Sequence, residues 1–473
     1  MPQKIPAAKI LILMPTWLGD AVMATPFLRA LRALYPNAHI AALAKPLAAP
    51  VLAGLPFVNE THLQEKSNQA QTLAWIKSQK FDLAILLPNS FRAAWLAFKA
   101  RIPNRLGYAR DKRSLLLTHS IVAKKRTPEE RDQYVARILA QRVIQEQLAL
   151  PPQERSELIS LTRDYSPLQR KHLGFVAAMR SPSLSNNKGI DFPAGAVALQ
   201  IPLPYGYSLG FPSGGFQPIP TIDYYLALAA HLGADISNKQ MHLEITPEEK
   251  SEADLALAQL GIPPLETRNS KLETLITIVP GANFGSSKCW PPERFAQIAD
   301  RLMDKQGQVE GGNAHVILAT SPSELPIANA IAAASLLCPN AQGIGRLHLT
   351  ATMNPNQKPL SIGALKQIVK RSSLMLCNDT GPRHFAAALQ IPTLTLFGPT
   401  DPIWAETYSP NEKILRINVP CSPCQLKKCP IDHRCMKQIT TEMVYNALKD
   451  LLHAPQAEPP EPDIDPRTHD LTI

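Results

Sequence analysis

Residues 378–402, NDTGPRHFAAALQIPTLTLFGPTDP, hold the densest set of side chains able to do chemistry. An apolar run, Leu374-Met375-Leu376-Cys377, has the bulk and length of a buried strand and stops at Asn378-Asp379-Thr380-Gly381-Pro382. Gly381 permits a tight turn, and Asp379 or Thr380 can cap a helix that Pro382 is suited to begin. A helix over Arg383–Leu389, a strand over Thr393–Phe397 and a second turn, Gly398-Pro399-Thr400-Asp401-Pro402, make two strand–turn units. Each presents backbone N–H groups and small hydroxyls at the carboxyl end of a strand, where open α/β sheets receive phosphate-bearing ligands. The chemistry this arrangement supports is the cradling of a nucleoside diphosphate.

A second cluster is Cys421-x2-Cys424-x4-Cys429-x5-Cys435, with His433 beside it. The N-terminal apolar run, Ile10 to Met14, is too short for a secretory leader, so a cytoplasmic chain is expected, and there clustered cysteines favour metal over disulfides. A structural zinc would suit four thiolates and close a loop that lacks its own core. Disulfides, free thiols and an iron–sulfur cluster are the alternatives. Cys289, Cys338 and Cys377 read as isolated small residues.

The elements that must position these groups follow from periodicity. Residues 9–14 read as a first strand, Pro15 to Asp20 as its loop and Ala21 to Leu34 as a helix. His39 to Ala44 is a second strand, Ala70 to Gln79 a helix, and Phe81 to Leu87 a third strand that closes in the polar loop Pro88-Asn89-Ser90. Arg126 to Leu148 predicts one long charged helix. From Pro151 to Pro220 the pattern breaks down. Residues 181–220 are dense in Pro, Gly, Ser and Asn without a period, which predicts an irregular insertion acting as a linker or a substrate lid. Regular patterning resumes near Ile222: strand Ile276–Val279, loop Pro280 to Gly285, helix Pro291–Met303, surface loop Gly307 to Asn313 and strand His315–Ala319. The Pro- and acid-rich tail, 454–473, is expected to be disordered. Strands alternating with helices imply α/β architecture with doubly wound parallel sheets, in an N-terminal domain (1–222) and a C-terminal domain (223–453) facing across a cleft.

Charge is distributed unevenly between them. Residues 1–150 carry 21 Lys+Arg against 9 Asp+Glu, whereas the remainder carries 28 against 30. Eleven of those 21 cations fall between Arg101 and Arg142, so an anionic partner is expected for the N-terminal half, unless the charge is simply a solvated face. Nucleic acid is disfavoured, because no aromatic-interleaved basic motif or zinc-finger spacing accompanies the charge. No run of about 18 apolar residues predicts a membrane span. A dinucleotide-dependent oxidoreductase is disfavoured by the lack of G-x-G-x-x-G after the first strand.

Five segments then align with one family. MPTWLGDAVMATPFLRALRALYP (14–36), LPNSFRAA (87–94), RIPNRLGYAR (101–110), PGANFGSSKCWPPERFA (280–296) and the stretch 378–402 occur in the family's order and at strand ends. The chain resembles the bacterial ADP-heptose–lipopolysaccharide heptosyltransferases (glycosyltransferase family 9), with segments similar to the heptosyltransferase II branch. The resemblance runs through most of residues 9–450, except the region 151–220. It implies a GT-B fold of two Rossmann-like domains and inverting, single-displacement transfer of heptose from ADP-heptose to the inner core, with no cofactor required for catalysis.

The resemblance also assigns residues. Asp20 matches the general base that takes the acceptor hydroxyl's proton, the alternative being a cap for the helix from Ala21. At a helix N-terminus its pKa should be lowered. Lys288, in the G-x-x-K-x-W segment, matches the cation that stabilises the departing diphosphate, the alternative being an ordinary surface lysine. Trp290 is expected to anchor that loop. Asp379, Thr380, Gly381 and His384 fall on the D-[ST]-G-x-x-H donor motif, His384 either facing the diphosphate or packing. These donor groups should face the diphosphate only when the domains close. Thr400 and Asp401 edge the same cleft. Glu324 is the candidate ribose contact, although Ala319 to Glu324 lacks the glycine relatives often carry there. Asn89, Ser90, Arg92, Arg105 and Arg110 are candidates for binding a Kdo-containing lipid A inner core, whose carboxylates and phosphates suit the planar arginine fork. That acceptor implies peripheral contact with the anionic inner membrane at its cytoplasmic face. The same fold with another nucleotide sugar, or a catalytically lost nucleotide-binding or zinc-stabilised interaction protein, are the other readings. The presence of both Asp20 and Lys288 argues against the last.

Overall fold

The computed structural model describes residues 4–65, 67–123, 219–260, 262, 274–303, 314–336, 347–349, 359–419 and 421–453. The helix expected over 126–148, nearly all of the insertion expected over 151–220, the loop 307–313, Cys338 and the tail 454–473 lie outside these residues.

Twelve strands form two six-stranded parallel sheets. The first contains β1 (Lys9–Leu13), β2 (His39–Ala44), β3 (Glu60–Leu63), β4 (Leu83–Leu86), β5 (Asn104–Tyr108) and β6 (His119–Ile121), in the order β3-β2-β1-β4-β5-β6. The second contains β7 (Leu275–Val279), β8 (His315–Leu318), β9 (Leu347–Leu349), β10 (Leu374–Asn378), β11 (Thr393–Phe397) and β12 (Glu412–Arg416), in the order β12-β11-β10-β7-β8-β9. Counted from its own first strand, the second sheet repeats the order of the first. Central strands are predominantly apolar because helices cover both faces: Ile10, Leu11 and Ile12, and likewise Leu374, Met375 and Leu376, are fully buried. Register is fixed by these runs, Leu11 lying opposite Ala41 and Ala84, and Leu376 opposite Ile278 and Leu394.

This order dictates where ligands go. Strand order reverses between β1 and β4 and again between β7 and β10, and each reversal opens a crevice at the carboxyl ends. The crevice of the first sheet is bordered by the loops after β1 and β4, which lead to Asp20 and to Asn89-Ser90. That of the second is bordered by the loops after β7 and β10, which lead to Lys288 and to Asp379-Thr380-Gly381.

The helix expected over Ala21–Leu34 is two helices, Leu18–Met23 and Thr25–Leu34. They are separated at Ala24 because Pro26 has no N–H to continue the ladder and instead serves the first turn of the second helix. The first helix therefore starts earlier than expected and takes Asp20 into its first turn, so Asp20 is not a cap.

Helix Thr221–His231 packs against Thr25–Leu34, and the expected domain boundary at 222/223 falls inside it. The segment beyond also follows the first domain: the Arg29 guanidinium donates to Asn238 O at 3.0 Å, Asn238 Oδ1 at 2.7 Å and Gln240 O at 2.9 Å. The two halves are tied by Lys366 of helix Ile362–Arg371. It is fully buried, pairs with Glu249 at 2.8 Å and donates to Pro50 O at 2.9 Å and Glu244 O at 2.8 Å. One hydrophobic core runs through the join, bringing Ala21 and Val22 together with Cys377, Phe385 and Ala386.

Candidate active site between the two sheets

The first turn of helix Leu18–Met23 abuts the helix Arg383–Ala388 that follows β10. Contact is so close that a Cβ on Gly19 would lie 2.6 Å from His384 Cδ2, and one on Gly381 would lie 3.2 Å from Leu18 Cβ. Glycine at these two positions lets the halves approach, and the approach puts Asp20 within electrostatic reach of Lys288 and Asp379.

On the second sheet's side the site is a buried ionic network. Lys288, at the end of the short 3-10 turn Ser286–Lys288, places Nζ 2.5 Å from Asp379 Oδ2 and over the Phe284 ring at 4.8 Å from its centroid. Thr400 Oγ1 donates to the same carboxylate oxygen at 2.7 Å, and Arg383 approaches the other at 3.9 Å. Burial by itself would raise the Asp379 pKa, but Lys288, Arg383 and these hydrogen bonds outweigh it and hold the carboxyl below its ordinary range. Arg383 is fully buried, forked onto both oxygens of Glu412, and donates to Ala405 O at 2.8 Å. Thr395 and Thr407 hydroxyls complete Glu412 at 2.5 Å each. Every charge here has partners, as burial requires. Asp379 therefore does not cap the following helix; its cap position is Pro382, with no side-chain bond. Thr380 and Gly381 stay partly open beside it.

His384 is buried, and burial, followed by the Arg383 charge, pushes its pKa down to about 3. It is thus neutral at physiological pH and packs against Gly19, and its Nδ1 makes no hydrogen bond among the described residues.

Asp20 behaves oppositely to the helix-dipole expectation. It keeps some surface exposure, yet lies deep enough for desolvation to dominate and to raise its pKa to about 6. Lys288 lowers it, Asp379 raises it further, and no hydrogen bond contributes. A carboxylate that holds its proton this tightly and faces a cleft is matched to taking a proton near neutral pH.

The remaining donor-side residues are placed as follows. Trp290 is fully buried beneath its loop, with Nε1 donating to Ile439 O at 2.9 Å, as expected of an anchor. Asp401 caps the turn Pro402–Ala405 through Ile403 N at 3.2 Å. The Glu324 carboxylate accepts from Ser321 N at 2.9 Å and Ser321 Oγ at 2.8 Å, while leaning across Gly281, where any Cβ would collide with it.

Of the five acceptor-side candidates, two join a built loop. Asn89 Oδ1 accepts from Tyr224 Oη at 2.9 Å, and Tyr224 also bonds Arg110. Ser90 Oγ caps helix Phe91–Lys99 through Ala93 N at 3.3 Å. Arg92 is exposed. The Arg105 fork is occupied by the carbonyls of Leu116, Ile102 and Pro103, and so braces β5.

Sequence reasoning missed the organiser of this loop, Arg113. Fully buried, it donates to Pro88 O, to Asn89 Oδ1 at 3.2 Å and to Tyr108 O at 2.9 Å. Burial lowers its pKa only to about 10, so it stays charged. Asp111 and Lys112, both in the left-handed region (φ 51° and 57°), turn the chain back to insert it, and nothing in the sequence marks that reversal. Tyr224 and Tyr225 were missed too: Tyr224 stacks on Tyr108 at 3.8 Å, and Tyr225 lies close enough to Asp20 to feel its charge.

None of the four clustered cysteines is in a disulfide. Burial, reinforced by the neighbouring thiols, pushes Cys421 up to about 11 and Cys435 up to about 12. Among the described residues no group of three or more His, Cys, Asp or Glu side chains is arranged to hold a metal ion. The loop acts as a strap. Ser287 N and Oγ donate to Lys427 O and Leu426 O, His433 Nε2 lies 2.6 Å from Ser287 O, and Gln425 N donates to Pro399 O at 2.7 Å. It thereby holds the Lys288 and Thr400 loops together. Gly285 (φ 155°) is required under it, since a Cβ there would strike the Lys427 carbonyl.

Comparison with known proteins agrees with this architecture. The sequence model described as glycosyltransferase family 9 (heptosyltransferase) matches residues 72–177 and 218–434. Lipopolysaccharide heptosyltransferase 2 of Salmonella typhimurium is 25% identical over 421 residues, covering 86% of this chain and 88% of that protein. Lipooligosaccharide heptosyltransferase 2 of Haemophilus influenzae is 24% identical, covering 94% and 99%. Among solved structures, the E. coli ADP-heptose lps heptosyltransferase II superposes with a TM-score of 0.58 at 22% identity, covering 94% of this chain and 98% of that one. A family 9 glycosyltransferase from Veillonella parvula gives 0.61 at 18%, covering 95% and 99%. These likenesses bear out the GT-B expectation of two facing α/β domains.

Proposed function

We propose that this chain, which belongs to glycosyltransferase family 9 (heptosyltransferase) and is a glycosyltransferase, moves a heptose from ADP-L-glycero-β-D-manno-heptose to the inner core of lipopolysaccharide. The observation that carries the chemistry is Asp20, a carboxylate raised to about 6, facing the Lys288–Asp379 pair across the join between two sheets of the same topology.

The acceptor hydroxyl, whose pKa lies far above 7, gives its proton to Asp20 as its oxygen attacks the anomeric carbon. A positioned base of this kind is worth about 10²–10⁴-fold. The bond to the nucleoside diphosphate breaks on the opposite face, so the anomeric configuration inverts in one displacement. Negative charge growing on the diphosphate is met by Lys288 and by the open turn Thr380-Gly381. Asp379 holds the Lys288 ammonium in place, and the Arg383–Glu412 pair holds Asp379. The acceptor is the Kdo-containing core of lipid A, received by the loop Pro88 to Ser90 with Arg92 and Arg110, and the enzyme works at the cytoplasmic face of the inner membrane. No residue of this scheme calls for a metal. Among the described residues no helix is long and apolar enough to cross a membrane.

The test is transfer itself. Purified protein, given ADP-heptose and a heptose-deficient core acceptor, should yield acceptor heavier by one heptose and release ADP. Transfer from a different nucleotide sugar with none from ADP-heptose would replace the donor while keeping the mechanism. Release of no nucleotide from any donor would remove the reading.

A further inference from the structure

Helix Phe91–Lys99 inverts the usual arrangement of an amphipathic helix. Its buried face is Ala93, Ala94 and Ala97, and its aromatic residues point outward. Phe91, Trp95 and Phe98 are 47%, 40% and 44% exposed. They form one continuous ridge, with ring centroids 6.2 Å apart between Phe91 and Trp95 and 5.6 Å apart between Trp95 and Phe98. Leu115, 92% exposed, lies on the turn Ser114–Leu116, which contacts the same helix. An ordered apolar ridge of this size on a surface marks a place where something docks.

The charges around the ridge identify the occupant. Residues 88–118 contain six Lys+Arg besides the buried Arg113, and a single acid, Asp111. Lys99 sits over the Trp95 ring at 5.4 Å from its centroid, and Arg105 over Phe98 at 5.7 Å. Lys99, Arg101 and Lys112 are exposed. Aromatic rings with a cationic rim match a bilayer interface, where rings settle at headgroup depth and nearby cations are drawn to anionic lipid. A partner protein or a second copy would need acidic groups opposite the rim.

We infer that the Phe91–Lys99 helix, with Leu115 and its basic rim, is an interfacial docking surface for an anionic lipid bilayer. Ser90 caps this helix and belongs to the acceptor loop, so docking through the ridge sets the mouth of the cleft beside the headgroups. The inference rests on the proposed lipid-anchored acceptor for its purpose, but its test does not depend on transfer.

Full-length protein is sedimented with phosphatidylethanolamine vesicles that contain or lack phosphatidylglycerol. Wild type should bind the anionic vesicles in a salt-sensitive manner and the neutral ones much more weakly. Trp95→Ser with Phe98→Ser should weaken anionic-vesicle binding at least tenfold. Lys99→Glu with Arg101→Glu, which leaves the rings and the buried alanines intact, should do the same. Turnover of both variants on a delipidated, soluble core acceptor should stay at the wild-type level, which also certifies folding. Vesicle binding by both variants at wild-type strength would overturn the inference. So would a wild-type protein that ignores anionic vesicles while Trp95→Ser with Phe98→Ser converts a dimer to a monomer, since a second copy would then be the occupant.

Discussion

The two crevices share one strand order and differ in how they handle charge. In the second sheet's crevice, Lys288, Asp379, Arg383 and Glu412 are buried and fully paired, with threonine hydroxyls occupying the remaining lone pairs. In the first, Asp20 has no hydrogen bond among the described residues to lower its pKa, and the buried cation Arg113 is spent on holding loop carbonyls and Asn89. The first arrangement fixes a charge; the second leaves one reactive. A rigid electrostatic frame suits stabilisation of a leaving diphosphate, which needs pre-placed charge and no reorganisation. An unpaired, desolvated carboxylate suits proton abstraction, which needs an unsatisfied base. Identical topology thus supports complementary tasks because the site is set by loop residues and not by the sheet.

Breaking the reactive side should have the largest effect. Asp20→Asn keeps the shape and removes the base, so turnover should fall by about 10²–10⁴-fold while ADP affinity measured by calorimetry stays near wild type. A loss of nucleotide affinity equal to the loss of turnover would instead assign Asp20 to the frame. Breaking the frame comes next. Lys288→Ala removes the cation from the buried Asp379 and should lower kcat by about 10²–10³-fold with weaker donor binding. An effect confined to acceptor KM would contradict its placement.

Arg113→Lys separates the two crevices. A lysine cannot reach the Pro88, Asn89 and Tyr108 acceptors together, so about 1–3 kcal/mol of stability should be lost and acceptor KM should rise while donor affinity holds. Equal damage to donor affinity would show that the crevices are not independent. The smallest effect is expected from Gly285→Ala, which displaces the strap from the Lys288 loop. It should lower the melting temperature by a few degrees, on the order of 1 kcal/mol, and reduce kcat by less than Lys288→Ala does.

Much of the frame was legible in the sequence. His39–Ala44 and Thr393–Phe397 coincide with their strands, because short buried segments rich in apolar and β-branched residues between turn signals read as strands. The donor motif and Lys288 could be placed because glycine and proline punctuate the strand ends. What escaped depended on chain reversals and tertiary burial. The Arg113 insertion needs left-handed backbone at two non-glycine residues, which no composition signals. The Asp20 shift opposes the helix-dipole expectation because desolvation by the facing domain outweighs a local dipole, and a local reading contains no facing domain. His384 lies on the expected motif, and its packing as a neutral ring against Gly19 is a tertiary contact that the motif does not signal. The bracing of two neighbouring turns by the cysteine-rich loop is likewise a tertiary contact that no spacing signals.

The raised Asp20 pKa also has a stability consequence of definite sign. Its folded value, about 6, lies above the ordinary carboxylate value, so the ionised form costs stability above that pH and the cost disappears as pH falls below about 4. Asp20→Asn should accordingly melt a few degrees higher than wild type at pH 8, an effect on the order of 1 kcal/mol, with the gap closing at acid pH.

The pH dependence of kcat/KM for transfer tests the account most directly, because it reads the base in the free enzyme. As pH falls, Asp20 should take up its proton and the rate should drop tenfold per pH unit below a limb at about 6. A limb displaced to about 4, the ordinary carboxylate range, or a profile flat through pH 6, would contradict a desolvated Asp20 acting as the base.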